Sequence, residues 1–211
     1  MDLVLIGEGG HSKVIKDLIG SKHAYNLRAI LDDKYEQLKL VGDIYIGPIS
    51  SVHDLVEQMR SSPKFVIGIG NNRTRKSIAE RLGLTRESYT SLIHDSAIVS
   101  GSAFIGVGSV IMAHTIVNAG AVIGDHAIIN SGAIVEHDAY VGDYVHIAPK
   151  SLLTGSVVAG EGAMIGAGAT VIPGKKIGEW VTVGAGATVI HDLPSYCTAV
   201  GIPARMIARS S

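Results

Sequence analysis

Residues 121–159 read AVIGDHAIINSGAIVEHDAYVGDYVHIAPKSLLTGSVVA, and they lie in the middle of the stretch, residues 97–192, that decides the fold. Every sixth residue from Val99 to Val189 is Ile, Val or Leu, except Ala159. Ala, Ser or Thr stands two positions earlier in 12 of these 16 hexapeptides, so the repeat holds at two of its six positions. A period of six fits neither a 3.6-residue helix nor an alternating strand. It predicts a left-handed parallel β-helix.

The hexapeptide repeat also predicts how the coils are built. Three hexapeptides complete one triangular coil, so that each residue stacks on the residue 18 positions later. We expect the aliphatic residue to point into the prism and the small residue to fill the corner space, with glycines allowing tight turns. Stacked coils pair like parallel strands, roughly 4.8 Å apart. Sixteen uninterrupted hexapeptides give a little over five coils. A glycine-rich sandwich, the alternative, would not keep one phase over this length.

Composition limits the class of protein. A length of 211 residues allows one or two domains, and a net charge of −1 gives no sign of nucleic acid or an anionic membrane as partner. Cys197 is the only cysteine, which excludes an internal disulfide and fits a reducing compartment. The N-terminus lacks the pattern of a signal peptide, and no apolar run is long enough to span a membrane. We therefore predict a cytoplasmic protein.

The first 90 residues predict a small Rossmann-like α/β domain. Apolar strands at residues 2–8, 28–31 and 65–69 alternate with helices that begin near Gly9, Ser51 and Arg73. The hexapeptide repeat begins after residues 85–95. We therefore divide the chain into an α/β domain, residues 1–90, and a β-helix domain, residues 91–211.

Three features lie at the predicted carboxyl ends of the strands. Residues 7–11, GEGGH, form a glycine turn that can place backbone N–H groups against a phosphate. This turn lacks the full G-x-G-x-x-G spacing, so a tight turn without a ligand is the alternative. Asp32 ends the next strand, where a ribose contact is expected in nucleotide folds, and residues 68–72, GIGNN, form a second turn. Together they favour a site for a nucleotide or nucleotide sugar.

In the repeat, residues 136–138, EHD, place His137 between two carboxylates at a predicted corner. An imidazole titrates near neutrality and suits a general base, and a neighbouring carboxylate can fix its tautomer. The alternative is a solvated corner residue, and the flanking acids favour catalysis. A zinc site like that of the trimeric β-helix carbonic anhydrases is disfavoured, because no two of the nine histidines are five residues apart. Near the end of the chain, Arg205 could reach a phosphate of coenzyme A.

Five motifs carry a resemblance to a known family. They are G-x-G-G-H-x-K-V at residues 7–14, G-N-N-x-x-R at 70–75, V-E-H-D at 135–138, V-H-I-A-P at 145–149 and G-x-P-A at 201–204. With them, the chain resembles the bacterial sugar O/N-acyltransferases, which join a nucleotide-sugar-binding α/β domain to a left-handed β-helix. That family includes sialic acid O-acetyltransferases and UDP-4-amino-sugar N-acetyltransferases. One departure is Ala139, where some members have Cys.

The resemblance implies a homotrimer with acetyl-CoA as cosubstrate, no metal, and the coenzyme lying between adjacent β-helices. It makes His137 the base, oriented by Asp138. It implies that the acetyl-CoA site includes His146, the N–H of Gly155, and the backbones of Ala167 and Ala185, beside Arg205. The residues that it implies for the nucleotide sugar are Gly10, His11, Ser12, Asp32, Asp33 and Gly70.

The predicted function is N-acetylation of a UDP-4-amino sugar for a surface glycan, by direct transfer from acetyl-CoA. The nearest alternative is O-acetylation of sialic acid or another sugar, which the same base could perform. A γ-type carbonic anhydrase and a non-catalytic sugar-nucleotide-binding scaffold are the remaining alternatives. The three residues Glu136, His137 and Asp138 argue against the scaffold, because a purely structural corner has no need of them.

Overall fold

The computed structural model describes residues 1–22, 24–59 and 61–209. The chain divides into two compact units between Leu92 and Ile93. The boundary predicted from the sequence lies two residues earlier. No helix among the described residues is long and apolar enough to cross a membrane.

The first unit is an α/β domain. Its elements are β1 (Asp2–Ile6), α1 (Gly10–Gly20), β2 (Asn26–Leu31), β3 (Lys39–Val41), β4 (Ile44–Gly47), α2 (Val52–Met59), β5 (Lys64–Ile67) and α3 (Asn72–Leu82), with short 3₁₀ turns at Ile49–Ser51 and Arg86–Ser88. The sheet order is β3-β4-β2-β1-β5, and only β3 runs antiparallel to its neighbour. The predicted Rossmann-like α/β fold is therefore confirmed.

Two strands of this sheet were not predicted. β3 is exposed along its whole length and β4 is buried only at Gly47, so neither has the continuous apolar run of a central parallel strand. They form a hairpin at the sheet edge, closed by Gly42 in the left-handed region at φ 60°.

The order of the strands determines where a ligand can bind. β1 pairs with β2 on one side and with β5 on the other, so the chain changes direction across the sheet beside β1. Open parallel sheets bind ligands outside the carboxyl ends of the strands at such a point. Gly68, just after β5, packs closely against α1, because a Cβ there would lie 3.0 Å from the Cβ of Ser12. The two turns that follow β1 and β5 are therefore neighbours.

The second unit is the predicted left-handed β-helix, built from two-residue strands that recur every six residues, the first of which spans the boundary between the units. They are Leu92–Ile93, Ile98–Val99, Phe104–Ile105, Val110–Ile111, Ile116–Val117, Val122–Ile123, Ile128–Ile129, Ile134–Val135, Tyr140–Val141, His146–Ile147, Leu152–Leu153, Val158–Ala159, Met164–Ile165, Thr170–Val171, Lys176–Ile177, Thr182–Val183 and Thr188–Val189. Strands 18 residues apart pair in parallel and form three sheets, as Ile116 opposite Ile134 illustrates. An antiparallel hairpin, Cys197–Val200 with Arg205–Arg209, extends one of these sheets.

The core of the β-helix follows the hexapeptide rule. The aliphatic position is buried from Ile111 to Val189, and the small position two residues earlier packs beside it, as at Ala121 and Ala133. At every sixth residue from Gly108 to Gly186 the corner is made by a residue with positive φ, which is glycine at many levels. Where it is not glycine, polar or aromatic residues take the left-handed conformation, among them Asp138 at φ 59°, His114 at φ 57° and Lys150 at φ 58°. These side chains point away from the core by construction.

Candidate active site

One corner of the β-helix contains His137, and we call it the His137 corner. It comprises residues 101–102, 119–120, 137–138, 155–156 and 173–174, which stack at intervals of 18. Backbone hydrogen bonds join its successive levels: Asp138 N–H donates to Ala119 O at 3.0 Å, and Ser156 N–H donates to His137 O at 2.9 Å. The coil register therefore fixes what lies above and below His137.

His137 and Asp138 form a hydrogen-bonded pair on the surface of this corner. The distance from His137 Nδ1 to Asp138 Oδ2 is 2.8 Å, and the two side chains are 61% and 67% exposed. The carboxylate of Asp138 raises the pKa of His137 above its ordinary value, and the charge of Glu136 adds to this effect. Because Nδ1 is engaged by the carboxylate, Nε2 is the nitrogen left to accept a substrate proton. This is the arrangement predicted for the base.

Gly155 lies against the imidazole of His137. A Cβ at this position would be 2.6 Å from Nε2 and 2.7 Å from Cε1 of that ring. Since the φ of Gly155 is not in the left-handed region, the glycine is required for space rather than for conformation. The backbone of the next coil thus lies directly beside the predicted reacting nitrogen.

The backbone N–H of Gly155 is not capped, whereas equivalent groups at another corner are. There, Asp125 Oδ1 accepts from Val107 N–H at 2.9 Å, and Asp143 Oδ1 accepts from Asp125 N–H at 2.7 Å. Each cap is supplied by the residue 18 positions later, and for Gly155 that residue is Pro173, which has no acceptor in its side chain. Within the described part of the chain, no acceptor is hydrogen-bonded to Gly155 N–H. This group is consequently available to a ligand.

Glu136 does not bond to the imidazole. Its Oε2 accepts from Asn118 Nδ2 at 2.8 Å, one coil earlier. The structure therefore indicates Asp138, not Glu136, as the residue that orients His137. Asn118 was not singled out from the sequence, because only the 18-residue register reveals that it lies beside Glu136.

His146 lies in a strand, between the corners at residues 143–144 and 149–150, and next to Asn130. Asn130 Nδ2 and His146 Nε2 are 3.0 Å apart, and both residues are half-buried. Ala167 and Ala185 lie one and two coils beyond the corner at residues 149–150. Both are exposed, and Gly186 N–H donates to Ala167 O at 2.8 Å. Arg205 is exposed, and its Nη1 donates to Ala204 O at 3.2 Å. Contact of these residues with acetyl-CoA remains a prediction.

In the α/β unit, His11 and Gly70 lie together at the carboxyl ends of β1 and β5. A Cβ on Gly70 would be 3.8 Å from the Cβ of His11. Burial, assisted by the charge of Arg75, lowers the pKa of His11 to about 4, so its imidazole is neutral at pH 7. Arg75 itself is buried, and its guanidinium donates to the carbonyls of Ile69 at 2.9 Å and Gly70 at 3.2 Å. The guanidinium thus holds the second glycine turn in place.

Gly10 and Ser12 differ in their surroundings. Gly10 is exposed, and a Cβ there would meet no atom within 4 Å. Ser12 is fully buried, and its hydroxyl donates to Gly9 O at 2.6 Å. Ser12 therefore stabilises the turn from inside, while Gly10 borders open space. A direct contact of Ser12 with the nucleotide sugar has no support in this arrangement.

The two carboxylates after β2 are bound to different partners. Asp32 accepts from Glu8 N–H at 2.6 Å and from Lys34 N–H at 3.0 Å, so it joins the loops that follow β1 and β2. Asp33 accepts from Ile49 N–H at 3.1 Å and forms an ion pair with Arg81 at 2.7 Å. The ribose contact expected of Asp32 remains a prediction.

Asp33 lines a depression of about 500 Å³. Burial opposes ionisation of this carboxyl, but the hydrogen bonds from Arg81 and Ile49 outweigh burial and lower its pKa. The other residues that line the depression are Ile49, Ser50, Val52, His53, Arg81 and Leu82. Asp33 thus lies on concave surface, where a ligand contact is possible.

Glu8 is the centre of a polar cluster that sequence reasoning missed. It binds Lys16 at 3.0 Å and Lys34 at 2.9 Å, and it accepts a hydrogen bond from the hydroxyl of Tyr35. The Tyr35 bond and the two lysines together lower the pKa of Glu8 to about 2. The partners of Glu8 lie eight or more residues away in the sequence, so no local sequence pattern indicates this cluster. Among the described residues, no group of three His, Cys, Asp or Glu side chains could hold a metal ion.

Two family profiles match the chain. The PglD N-terminal domain matches residues 2–82, and the bacterial transferase hexapeptide profile, with six repeats, matches residues 120–155. They correspond to the α/β unit and to the part of the β-helix that contains His137.

Two curated relatives are N-acetyltransferases. UDP-N-acetylbacillosamine N-acetyltransferase of Bacillus subtilis (strain 168) is 47% identical over 112 residues, which are 53% of this chain and 51% of that protein. The alignment thus spans about half the length of this relative. GDP-perosamine N-acetyltransferase of Escherichia coli O157:H7 is 31% identical over 151 residues, 69% of this chain and 68% of that protein.

Solved structures match over nearly the whole chain. PerB from Caulobacter crescentus, in complex with CoA and GDP-perosamine, is 37% identical with a TM-score of 0.88, covering 99% of this chain and 98% of that one. The acetyltransferase domain of PglB from Neisseria gonorrhoeae FA1090, in complex with acetyl coenzyme A, is 37% identical with a TM-score of 0.84, covering 98% of each chain.

Proposed function

Because the chain belongs to the bacterial sugar acyltransferase family, with the acetyl-CoA-dependent N-acetyltransferases of amino sugars, we propose that it acetylates the amine of a nucleotide-linked 4-amino sugar. A UDP-linked sugar is the first candidate, since the relative with 47% identity is a UDP-N-acetylbacillosamine N-acetyltransferase. A GDP-linked sugar is the second, since the relatives that match over more of the chain include GDP-perosamine N-acetyltransferases.

The observation that best supports this activity is the pairing of a carboxylate-bound imidazole with an uncapped N–H. His137 Nε2 lies beside Gly155, and the N–H of Gly155 has no acceptor among the described residues. Acyl transfer from a thioester requires a base for the attacking amine and a donor for the oxyanion. At the His137 corner, the imidazole of His137 and the N–H of Gly155 lie on successive coils, 18 residues apart, and they are proposed to act as this base and this donor.

The proposed reaction is a direct transfer. The amine attacks the carbonyl carbon of the thioester, and His137 Nε2 takes a proton from the amine. Gly155 N–H donates to the carbonyl oxygen as it becomes negative. When the C–S bond breaks, the thiolate of coenzyme A leaves and takes the proton from His137. An acyl-enzyme on cysteine is disfavoured, because Cys197 is the only cysteine and is fully buried.

The nucleotide sugar is proposed to bind the α/β unit at the turns after β1 and β5. Gly10 opens α1 beside unfilled space, and neutral His11 lies next to Gly70. Backbone N–H groups at the start of α1 suit a diphosphate. Asp33 is proposed to contact the nucleotide from the 500 Å³ depression.

A homotrimer is proposed as the active form. Ile98, Phe104 and Tyr140 project from the β-helix with 65%, 53% and 47% of their surface exposed, and Phe104 and Tyr140 lie on the same sheet. Exposed apolar surface that is contiguous marks protein–protein contacts. His137 is also too exposed to exclude water from a thioester. A neighbouring subunit would cover the apolar side chains and wall the site, and three heterologous contacts would close the ring. Light scattering should give about 66 kDa, three times the 22.0 kDa chain; an active monomer would contradict this proposal.

We further propose that the enzyme acts in the cytoplasm, where acetyl-CoA is available, in the synthesis of a surface polysaccharide or glycan. This proposal rests on the cosubstrate and on the sugars of the relatives.

The test is a panel of acceptors with acetyl-CoA, followed by thiol release and mass spectrometry of the product. UDP- and GDP-linked 4-amino sugars are compared with the same nucleotide sugars bearing a hydroxyl in place of the amine, and with sialic acid. Hydroxylamine removes O-acetyl esters and leaves amides, so it separates N- from O-transfer. We expect amide formation with a 4-amino sugar only. Transfer to the hydroxyl sugars or sialic acid alone would overturn the proposal in favour of O-acetylation.

A further inference from the structure

Asn118 and Glu136 form a hydrogen-bonded pair beside the His137 corner, on successive coils. Asn118 Nδ2 lies 2.8 Å from Glu136 Oε2, and both residues are half-buried. A carboxylate can only accept, so the end of the amide that faces it is the NH₂ group. In the residues that the structure describes, this amide is the one group hydrogen-bonded to the Glu136 side chain. Asn118 therefore determines where this carboxylate lies.

Glu136 and His137 are adjacent in the sequence, but their side chains lie against opposite coils. The carboxylate of Glu136 is bonded to Asn118 on the preceding coil. The ring of His137 lies against Gly155 on the following coil, where an added Cβ would be 2.6 Å from Nε2. The Nδ1 atom of the same ring is bonded to Asp138. The base is thus bonded to one of its two flanking carboxylates and not to the other.

These two carboxylates are the charged groups that act on His137. The corner residues one coil below and one coil above it are not ionisable; they are Ala119, Gly120, Gly155 and Ser156. Tyr140, which begins the next strand, is a phenol and is uncharged near pH 7, and the lysines at residues 175–176 follow the same corner two coils later. The carboxylate of Asp138 contributes most to the raised pKa of His137, and the charge of Glu136 adds to it. Moving Glu136 can therefore change the proton affinity of the base while Asp138 stays in place.

Without the amide of Asn118, the Glu136 carboxylate would turn toward the imidazole. A half-buried carboxylate that loses its donor is unfavourable, and an imidazolium on the adjacent residue is a charged donor. Asp138 already occupies Nδ1, so Glu136 would bind the N–H at Nε2. A carboxylate there would keep a proton on the nitrogen that has to accept one from the amine.

We propose that Asn118 is a positioning residue, which holds the Glu136 carboxylate against the preceding coil so that His137 is bonded to Asp138 alone and keeps Nε2 open to the acceptor amine. Glu136 then acts on the base through its charge and not through a hydrogen bond. The kinetic consequence of this proposal rests on the proposed acetyl transfer, whereas its consequence for the proton affinity of His137 does not.

Asn118→Leu removes the amide and keeps a side chain of similar size. The released Glu136 should pair with the imidazolium and raise the pKa of His137 by roughly 1 unit or more, the usual effect of a close opposite charge. Because the base must be neutral, the acidic fall of kcat/KM should move to higher pH by the same amount. Below that fall, kcat/KM should be lower than in the parent by roughly 10-fold for each unit. Above the raised pKa, Nε2 carries no proton to hold the carboxylate, so kcat/KM should return to the parent's value; general structural damage would lower it at every pH.

Glu136→Gln tests whether the effect passes through Glu136. Alone, it should lower the pKa of His137, because it removes one of the charges that raise it. In this background Asn118→Leu should have no further effect, so that the double variant has the pH profile of Glu136→Gln. Ser100→Ala is the matched control, because Ser100 lies one coil before Asn118 in the same column and its hydroxyl is bonded to Ser102. Its profile should be that of the parent.

The experiment combines two measurements on the full-length protein. The pKa of His137 is measured by NMR titration of histidine-labelled protein without substrates, with its signals assigned by comparison with His137→Gln. The pH profile of kcat/KM is measured with the acceptor found in the panel. Asn118→Ala takes the place of Asn118→Leu if the leucine lowers the melting temperature.

Three results would overturn the proposal. One is an Asn118→Leu variant in which His137 keeps the parent's pKa, which counts whether or not any sugar is acetylated. Another is a double variant in which loss of the amide still raises that pKa. The third is a raised pKa with the parent's kinetic profile, because Nε2 would then not be the atom that accepts the proton. If no amino sugar in the panel is acetylated, the proposed function fails, and the NMR titrations alone decide the role of Asn118.

Discussion

Gly155→Ala tests the geometry of the base without removing any functional group. The new Cβ would lie 2.6 Å from His137 Nε2, whereas ordinary contacts begin near 3.5 Å, so the ring must move by about 0.9 Å. A misplacement of about 1 Å at a catalytic group can cost roughly 10²-fold, which is about 2.7 kcal/mol of transition-state stabilisation. We therefore expect kcat to fall by roughly 10²-fold.

The fold should tolerate this substitution. The φ of Gly155 is open to alanine, and the atoms nearest to the added Cβ belong to the exposed His137 ring. The melting temperature and the affinity for coenzyme A should change little.

Gly101→Ala is the matched control, because Gly101 occupies the same column three coils earlier and an added Cβ there would meet no atom within 4 Å. Acetyl transfer is measured by thiol release at saturating substrates, with thermal unfolding as the check on stability. The reasoning is refuted if Gly155→Ala retains kcat within a few-fold of the parent, or if Gly101→Ala loses as much.

Three further predictions concern the base, the acceptor site and acid stability. His137 must be neutral to accept a proton, and Asp138 raises its pKa, so the fall of kcat/KM on acidification should begin at a pH above the ordinary imidazole pKa. Asp138→Asn should move this acidic fall of the pH profile to lower pH. It should also lower kcat less than loss of the imidazole does. Gly10→Ala should raise KM for the nucleotide sugar roughly 10–200-fold and leave KM for acetyl-CoA unchanged. The control Gly20→Ala, at the other end of α1, should change neither KM. An equal rise in KM for both substrates would assign Gly10 to folding. Because the pKa of Glu8 is lowered from 4.5 to about 2 in the folded protein, the stabilisation that this carboxylate provides is present above pH 4.5 and lost as the pH falls toward 2. In urea titrations, the difference in unfolding free energy between the parent and Glu8→Gln should therefore shrink over that range. A constant difference would contradict this prediction.

The sequence predicted the β-helix because its rule is local. Six residues determine one side of a coil, and the aliphatic positions such as Ile129 and Val171 are buried where the period places them. The hairpin of β3 and β4 was not predicted, because no local sequence pattern specifies it. Its strands are short and exposed, and they are stabilised by pairing at the edge of the sheet rather than by an apolar run.

The site was predictable in its chemistry and less so in its contacts. The residue types of His137 and Asp138 suggested a base and its carboxylate, and they do form a hydrogen bond. The partner of Glu136 is Asn118, 18 residues earlier, and no adjacent residue suggests that pairing. The burial of Ser12 likewise depends on how closely α1 approaches Gly68.

His137→Ala, assayed with acetyl-CoA and nucleotide-linked 4-amino sugars, is the most direct test of the central claim that this imidazole removes the proton of the attacking amine. The side chain is exposed, so the variant should fold and assemble as the parent does. The account predicts that kcat falls by roughly 10² to 10⁴, the usual worth of general-base catalysis, with the affinity for both substrates nearly retained. Turnover within a few-fold of the parent at neutral pH would contradict it and assign the base elsewhere.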